Sequence, residues 1–174
     1  MTNNHEPFPA PILLVMTSEK QSNAKPPVVT IYTDGGCEPN PGTGGWGAVL
    51  IYKDTVKELS GGALNTTNNR MEMTAAITAL GHLKRRCRVD LYSDSNYLVK
   101  GMTAWLPNWK RKNWRSNSKQ VLNIDLWQQL DALNQSHEVH WHWIRGHAGH
   151  AYNERCDALA AAEIKALRRR LPDS

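Results

Sequence analysis

Four acids and one histidine in this sequence have the chemical types and settings of a reaction site: Asp34, Glu72, Asp94, His147 and Asp157. Asp34 ends a β-branched and aromatic run, residues 28–33, that is typical of a strand. Asp94 ends a second such run, residues 88–93. A helical pattern lies between the two runs, which favours parallel strands. Because the carboxyl ends of adjacent parallel strands share one edge of a sheet, we expect Asp34 and Asp94 to lie side by side.

The other two acids are predicted on flanking helices. Glu72 falls in the first turn of a helix that begins near Met71, and Asp157 in the second turn of a helix over residues 153–167. Each acid alone has a simpler interpretation: Asp34 as the start of an Asp-Gly turn, Asp94 as a helix cap, and Glu72 as a partner of the helix dipole.

Together, four carboxylates in one groove would repel one another, and hard divalent cations remove that conflict. Oxygen-only ligands suit Mg²⁺ or Mn²⁺, and two such ions about 4 Å apart form the usual clamp for phosphoryl transfer.

The histidines are concentrated near the C-terminal end. His147 lies in a glycine-flanked loop beside the predicted acid edge, where an imidazole suits proton transfer or product handling. A zinc site is the alternative, but the spacing that closes a tetrahedron is missing. Its candidate ligands are His140, His142, His147, His150 and Cys156. His140 and His142 fit better as the polar face of a strand.

The segment from Trp105 to Arg115 interleaves basic residues with tryptophans. Six basic residues and no acid occur between Ser95 and Ile124. A solvated basic loop with core tryptophans would explain this composition. A protrusion that neutralises phosphates and packs against a nucleic-acid backbone explains its asymmetry better, in a chain whose net charge is only +5.

The remaining patterns predict one α/β domain over residues 28–167. Three antiparallel strands (28–33, 48–53 and 56–61) precede the first helix, which Thr66 to Asn69 can cap. Residues 35–47, rich in glycine and proline, read as a long connection. A helix over 96–106, a helix from Asn123 to 134 and a strand over 138–144 complete the pattern.

The amino-acid composition limits the class of protein to which this chain can belong. Hydrophobic residues make up 40% and charged residues 21% of the chain, as in globular proteins. Three scattered cysteines suggest a reducing compartment, and no apolar run is long enough for a bilayer, so we expect a soluble cytoplasmic protein. Residues 1–27 read as a poorly ordered extension and 168–174 as a basic tail.

The motifs as a set resemble bacterial ribonuclease H of type 1. The resemblance covers roughly residues 28–166 and keeps the family's order. It rests on Asp34-Gly35-Gly36-Cys37, Asn40-Pro41-Gly42, Gly44-Gly45-Trp46-Gly47, Thr67-Asn68-Asn69-Arg70-Met71-Glu72, Ser93-Asp94-Ser95, Gly146-His147-Ala148-Gly149-His150 and Asn153-Glu154-Arg155-Cys156-Asp157.

This resemblance implies an α/β fold with a five-stranded mixed sheet, order 3-2-1-4-5, flanked by helices. It implies a monomeric endonuclease that cuts the RNA strand of RNA–DNA hybrids with two Mg²⁺ ions, for which Mn²⁺ can substitute, and leaves 5′-phosphate and 3′-hydroxyl ends. By the resemblance, Asp34, Glu72, Asp94 and Asp157 bind metal and His147 is the histidine of the catalytic loop. The residues it places at the hybrid are Asn40, Thr67, Asn68, Asn69, Asn96, Trp105, Lys110, Arg111, Lys112, Trp114 and Arg115.

The chain departs from the family pattern in three places. Asn65 stands where relatives often carry a basic residue near the DNA phosphate pocket, Asn96 replaces a frequent glutamine, and the extension has no counterpart. Two rival functions are a hybrid-binding module without chemistry and a strand-transfer enzyme or exonuclease on the same sheet, since fold alone does not decide function.

Overall fold

The computed structural model describes residues 25–172, and the predicted extension lies outside them except for Lys25, Pro26 and Pro27. Within residues 25–172 thirteen elements follow in chain order, with a π-helical turn, Gly101–Trp105, between the second and third α-helices. The strands are β1 Val28–Cys37, β2 Gly42–Tyr52, β3 Thr55–Thr66, β4 Arg88–Ser93, β5 Arg115–Ser116, β6 Lys119–Gln120 and β7 Glu138–Trp143. The α-helices are α1 Asn68–Gly81, α2 Asn96–Lys100, α3 Leu106–Arg111, α4 Ile124–Ser136 and α5 Ala151–Arg169.

The main sheet has five strands in the order β3-β2-β1-β4-β7. β1, β2 and β3 are antiparallel neighbours, whereas β1, β4 and β7 run parallel. Counted within this sheet, the order is the 3-2-1-4-5 expected from the resemblance, and the prediction is confirmed. The small β5–β6 hairpin was not predicted.

The hydrophobic core lies between the sheet and helices α1 and α4. Ile31, Leu50 and Leu91 supply it from the strands, and Met73, Leu80 and Trp127 from the helices, all fully buried. The other face of β1 and β2 packs against α5. The chain therefore forms three layers, with the sheet in the middle.

The prediction that residues 35–47 form a long connection is wrong, because β1 continues to Cys37 and β2 begins at Gly42. Its glycines allow α5 to approach: a Cβ on Gly45 or Gly47 would overlap the α5 backbone at Ala160 or Cys156. Composition alone predicts a loop for such a run, but a strand against which a helix packs closely also needs glycines.

Three helix boundaries also differ from the predictions. The helix after Asp94 continues through the π-helical turn to Arg111, with Pro107 tolerated at the start of α3. The turn begins at Gly101, on which the Trp127 ring packs. Helix α4 begins after Asn123, as predicted, but continues to Ser136 instead of ending at 134. The Asn123 side chain makes no capping hydrogen bond; it accepts from Arg70 and donates to the Tyr97 hydroxyl. At the C-terminal end α5 continues to Arg169, two residues beyond the predicted bound.

Candidate active site

Asp34 and Asp94 lie at one edge of the sheet, as predicted from the parallel strands. The parallel register of β1 and β4 ends at the pair Thr33–Ser93, and each acid is the next residue. The predicted turn after Asp34 is wrong, however. β1 continues to Cys37, and Asp34 pairs with Gly47 of β2. Asp34 is therefore paired with β2 on one side, whereas on the β4 side no residue pairs with it.

Gly35 brings the third acid to this edge. A Cβ at this position would overlap the backbone of Met71 and Glu72, so α1 crosses β1 at a distance that only glycine allows. Glu72 is the fifth residue of α1 and not in its first turn, because Thr67 caps the helix by accepting from the Arg70 N–H. The interpretation of Glu72 as a partner of the helix dipole therefore does not hold.

Three carboxylates form a triad, in which Asp34 and Glu72 are buried and Asp94 is partly exposed. Asp34, Glu72 and Asp94 each offer an oxygen within 4.8 Å of the other two. Asp34 is 7% exposed and Glu72 8% exposed. Among residues 25–172, this is the group of acid, histidine and cysteine side chains whose spacing could hold a metal ion. All its ligand atoms are oxygens, the type that hard divalent cations prefer.

Burial and mutual repulsion perturb the titration of the triad. The pKa of Asp34 is raised to about 7, chiefly by burial and then by the charge of Asp94, although hydrogen bonds from Glu72 and from the Gly35 N–H, 2.9 Å away, oppose the rise. Burial, and then the charges of Asp34 and Asp94, raise the pKa of Glu72 well above its ordinary value. Without a cation, therefore, the triad holds protons near neutral pH.

One atom of the triad supports a cation as the missing partner. Oε2 of Glu72 is buried and has no hydrogen-bond partner in the described part of the chain. Such an atom is costly unless something satisfies it. A divalent cation between the carboxylates would satisfy this oxygen and offset the repulsion, so the donor set fits Mg²⁺ or Mn²⁺.

Asp157 stands at the rim of the site and not in the triad. It lies in the second turn of α5, as predicted, but its side chain is exposed. Its charge still raises the pKa of Asp34, by less than that of Asp94 does. The structure thus brings three of the four predicted acids together and leaves the fourth facing them from solvent.

The loop that carries His147 is packed on Asp94. A Cβ on Gly146 would lie 2.5 Å from Oδ2 of Asp94. At the start of the loop the Ile144 N–H donates to the Ser93 carbonyl at 3.0 Å. His147 itself is exposed and has a positive φ of 54°. The loop therefore begins at the edge of the sheet that carries the triad, and His147 is exposed to solvent.

Sequence reasoning missed Trp143 as a support of this edge. Its indole Nε1–H donates to the backbone carbonyl of Asp94 at 3.0 Å, while its side chain remains 53% exposed. The indole thus ties the end of β7 to the residue that carries the third carboxylate. From the sequence, Trp143 is only one residue of the strand predicted over 138–144.

Two predicted substrate asparagines are tied together beside the triad. The Cys37 N–H donates to Oδ1 of Asn68 at 2.6 Å, and the Asn68 N–H donates to Oδ1 of Asn40 at 3.2 Å. Both side chains are exposed, so their amide nitrogens face solvent. Asn69 is half-buried in the first turn of α1, and Asn96 is exposed at the first position of α2.

The tryptophans of the Trp105–Arg115 segment differ in exposure. Trp109 and Trp114 pack against the core. Trp105 is 37% exposed, with its ring 5.7 Å from that of Trp109. These two indoles line a cleft of about 390 Å³ with Ala104, Asn108 and Ser116. An aromatic cleft is therefore open to solvent, but Trp114 is mainly a packing residue.

The basic residues of the segment are also unequal. Lys110 forms an ion pair at 3.0 Å with Asp131, an acid of α4 that the count along the sequence could not reveal. Arg115 donates to the Ser118 carbonyl at 2.6 Å, and Arg111 contacts Asn108 at 3.5 Å. Lys112 is exposed. The exposed charge of the protrusion thus comes mainly from Arg111, Lys112 and Arg115.

The two strand histidines have acidic partners. Nε2 of His142 lies 3.0 Å from Asp90 Oδ1, and Nε2 of His140 lies 3.0 Å from Glu138 Oε1. This arrangement matches the polar strand face expected from the sequence. The described helices include none with the length and apolar character that a membrane span requires.

Comparison with known proteins gives consistent matches along most of the chain. The model of the RNase H family matches residues 26–165. A ribonuclease H of Bradyrhizobium diazoefficiens is 58% identical over 135 residues, 77% of this chain and 88% of the relative. A ribonuclease H of Geotalea uraniireducens is 58% identical over 145 residues, 83% of this chain and 99% of the relative.

Solved structures give the same picture. LC9-RNase H1, described as a type 1 RNase H with the type 2 active-site motif, has a TM-score of 0.75 at 33% identity and covers 83% of this chain and 75% of its own. LC11-RNase H1, solved in complex with an RNA/DNA hybrid, has a TM-score of 0.63 at 25% identity, over 80% of this chain and 99% of its own.

Proposed function

Because this chain belongs to the RNase H family, we propose that it is an endonuclease that hydrolyses the RNA strand of RNA–DNA hybrids. The relatives that are 58% identical carry the name ribonuclease H, and LC11-RNase H1 was solved with an RNA/DNA hybrid. We also expect a monomer that works in the cytoplasm.

The observation that carries the proposal is the triad of Asp34, Glu72 and Asp94. A module that only binds hybrids has no need for carboxylates with raised pKa values at the end of two strands, because such a cluster destabilises the folded protein. A cluster of this kind is expected where the protein holds cations for chemistry on phosphate.

In this proposal the triad holds the catalytic Mg²⁺, for which Mn²⁺ can substitute, and Asp157 completes a second ion site from the rim. Bound divalent ions supply positive charge that activates water and stabilises the charge developing on the scissile phosphate. Asp34, held in the ladder by its pairing with β2, orients the cluster. His147, exposed on its loop, takes or delivers a proton as the 5′-phosphate and 3′-hydroxyl ends separate.

The substrate would lie across the sheet edge between the asparagine pair and the protrusion. The free amide groups of Asn40 and Asn68 suit sugar or phosphate oxygens near the triad, with Thr67, Asn69 and Asn96 beside them. On the other side, the cleft at Trp105 and the charges of Arg111, Lys112 and Arg115 would receive the DNA strand, assisted by Lys110 and by packing from Trp114.

Cleavage of labelled duplexes tests the proposal. With Mg²⁺ the purified chain should cut the RNA of a hybrid and leave double-stranded RNA and double-stranded DNA intact, and EDTA should stop the reaction. An Asp34→Asn variant should bind hybrid but not cut it. Equal cutting of duplex DNA, or binding without cutting by the unaltered chain, would contradict the proposal and favour one of the two rival functions.

A further inference from the structure

A second basic surface lies at the end of the sheet opposite the triad. We call residues Lys84, Arg85, Arg86 and Arg88 the basic loop; it connects α1 to β4 and contains no acid. Lys84, Arg86 and Arg88 are exposed. The loop and the last turn of α4 enclose a cleft of about 280 Å³, with Leu133, Ser136 and His137 on its far wall.

The backbone of this loop is held rigidly. The Cys87 N–H donates to Nδ1 of the buried His137 at 3.1 Å, and the Cys87 carbonyl accepts from the Glu138 N–H at 2.9 Å. The Arg88 N–H donates to the Pro27 carbonyl at 3.0 Å. These contacts hold the backbone at Cys87 and Arg88 in place, so binding does not have to order this part of the backbone.

Helix dipoles alone do not account for the charge. Two helices, α1 and α4, end at this loop, and each C-terminus carries about half a negative charge. Arg86 interacts with the C-terminus of α4 by donating to the Gln135 carbonyl at 3.2 Å. Even without Arg85, the three exposed cations exceed the charge of both helix ends by about two.

Carboxylates do not remove this excess either. Within residues 25–172, Lys84, Arg86 and Arg88 have no carboxylate oxygen within the 4.0 Å of an ion pair. Glu138 lies beside Arg88 in the register of β4 and β7, with its carboxylate 3.0 Å from His140, and it offsets at most one of the two excess charges. The excess positive charge is therefore available to a partner from solution.

The loop cannot serve the nucleic acid at the triad. β4 runs from Arg88 to Ser93, and six residues of strand separate the two ends by about 20 Å. A duplex lying against the triad edge leaves the basic loop on the far side of the molecule. Any polyanion that this loop binds is therefore a different segment.

We propose that the basic loop binds the phosphate backbone of a second nucleic-acid segment, independently of sequence and of the hybrid at the triad. The two exposed arginines, Arg86 and Arg88, favour phosphate, because the guanidinium fork matches its oxygens in pairs. The loop spans up to about 13 Å, and a duplex carries one charge per about 1.7 Å of its axis, so several phosphates face the loop at once. The proposal adds a binding surface to the proposed nuclease and does not depend on cleavage.

Anisotropy of a labelled DNA duplex of about 20 base pairs tests this surface, with the full chain in EDTA. The variant Lys84→Glu/Arg86→Glu is compared with Lys165→Glu/Arg169→Glu, which makes the same change of charge on exposed residues of α5. A neutral variant, Lys84→Gln/Arg86→Gln, keeps the test valid if charge reversal impairs folding, which a melting curve reveals.

We expect the basic-loop variants to lose at least about tenfold in affinity and to reduce the salt slope by about two, with the α5 variant within about twofold of the unaltered chain. The same variants should cut a short hybrid with unchanged kcat/KM, which separates this proposal from the proposed function. Equal losses in the loop and α5 variants, or no loss in either loop variant, would overturn it. Displacement of the duplex by polyglutamate as effectively as by DNA would also overturn it, in favour of an acidic protein partner.

Discussion

Removing one charge from the triad should stabilise the metal-free protein while abolishing cleavage. Asp94→Asn keeps the size of the side chain and deletes the charge that, after burial, contributes most to the raised pKa of Asp34. Two charges 4.8 Å apart repel by about 1 kcal/mol in water and about 3 kcal/mol at the effective dielectric constant of a protein surface. Since Asp94 is half-exposed, we expect a gain of about 1 to 2 kcal/mol at pH 8.

The sign of this effect depends on pH. The folded pKa of Asp34, about 7, lies above the ordinary value of 3.8, so the folded state binds more protons than the unfolded state between these values. Stability of the unaltered protein therefore falls as the pH rises through this window, and the loss is complete above it. At pH 4.5 Asp34 is protonated in the unaltered protein, so removing the Asp94 charge relieves no repulsion and the advantage of the variant should disappear.

Thermal melting in EDTA at pH 8 and pH 4.5 measures the effect, with Asp54→Asn, an exposed turn residue, as the control. For a chain of this size 1 kcal/mol corresponds to about 2 to 4 °C. Adding Mg²⁺ at pH 8 should raise the Tm of the unaltered protein more than that of the variant, because the ion binds the folded triad. A variant that melts below the unaltered protein at pH 8 in EDTA would refute the repulsion argument.

Three further predictions concern the supports and the protrusion. Gly35→Ala should cost about 2 kcal/mol or more, because its Cβ meets the α1 backbone, while Gly36→Ala, with open space around it, should cost less than half as much in chemical denaturation. Trp143→Phe should weaken Mg²⁺ binding measured by calorimetry, because it loses the hydrogen bond to the Asp94 carbonyl. Trp141→Phe, which loses an indole hydrogen bond to Asn134, should leave Mg²⁺ binding unchanged. Equal weakening in both variants would show that Trp143 does not position the site. Replacing Arg111, Lys112 and Arg115 by alanine should raise KM for hybrid several-fold and leave kcat nearly unchanged, and a fall in kcat alone would place these residues in the chemistry instead.

The sequence predicted the features that depend on strand order and local chemistry. Adjacent parallel strands placed Asp34 and Asp94 together, and the capping side chains before Met71 located the start of α1 to within a few residues. It could not predict features that depend on contacts distant in sequence. The acid that neutralises Lys110 lies 21 residues away, and Asn123 is occupied by Arg70, 53 residues before it.

The glycines show most clearly why local composition was insufficient. Residues 42–47 have the composition of a loop, yet they form a strand because α5 packs directly on their backbone. Gly35 was read as a turn residue, yet it permits the approach of α1 that delivers Glu72. In both places the missing side chain serves a neighbouring element, and only the assembled fold identifies that neighbour.

The triad is held by its supports against the repulsion of its own charges. The acids raise one another's pKa values and would separate if their backbones could move. Gly35 fixes the approach of α1, and Gly146 and Trp143 hold the residue that carries the third carboxylate. These contacts are made by the chain itself, so they hold the three carboxylates close together, and a divalent cation would offset the repulsion between them. Metal affinity should therefore decrease when a support is removed even though all the acids remain, which is the reasoning behind the comparison of Trp143→Phe with Trp141→Phe.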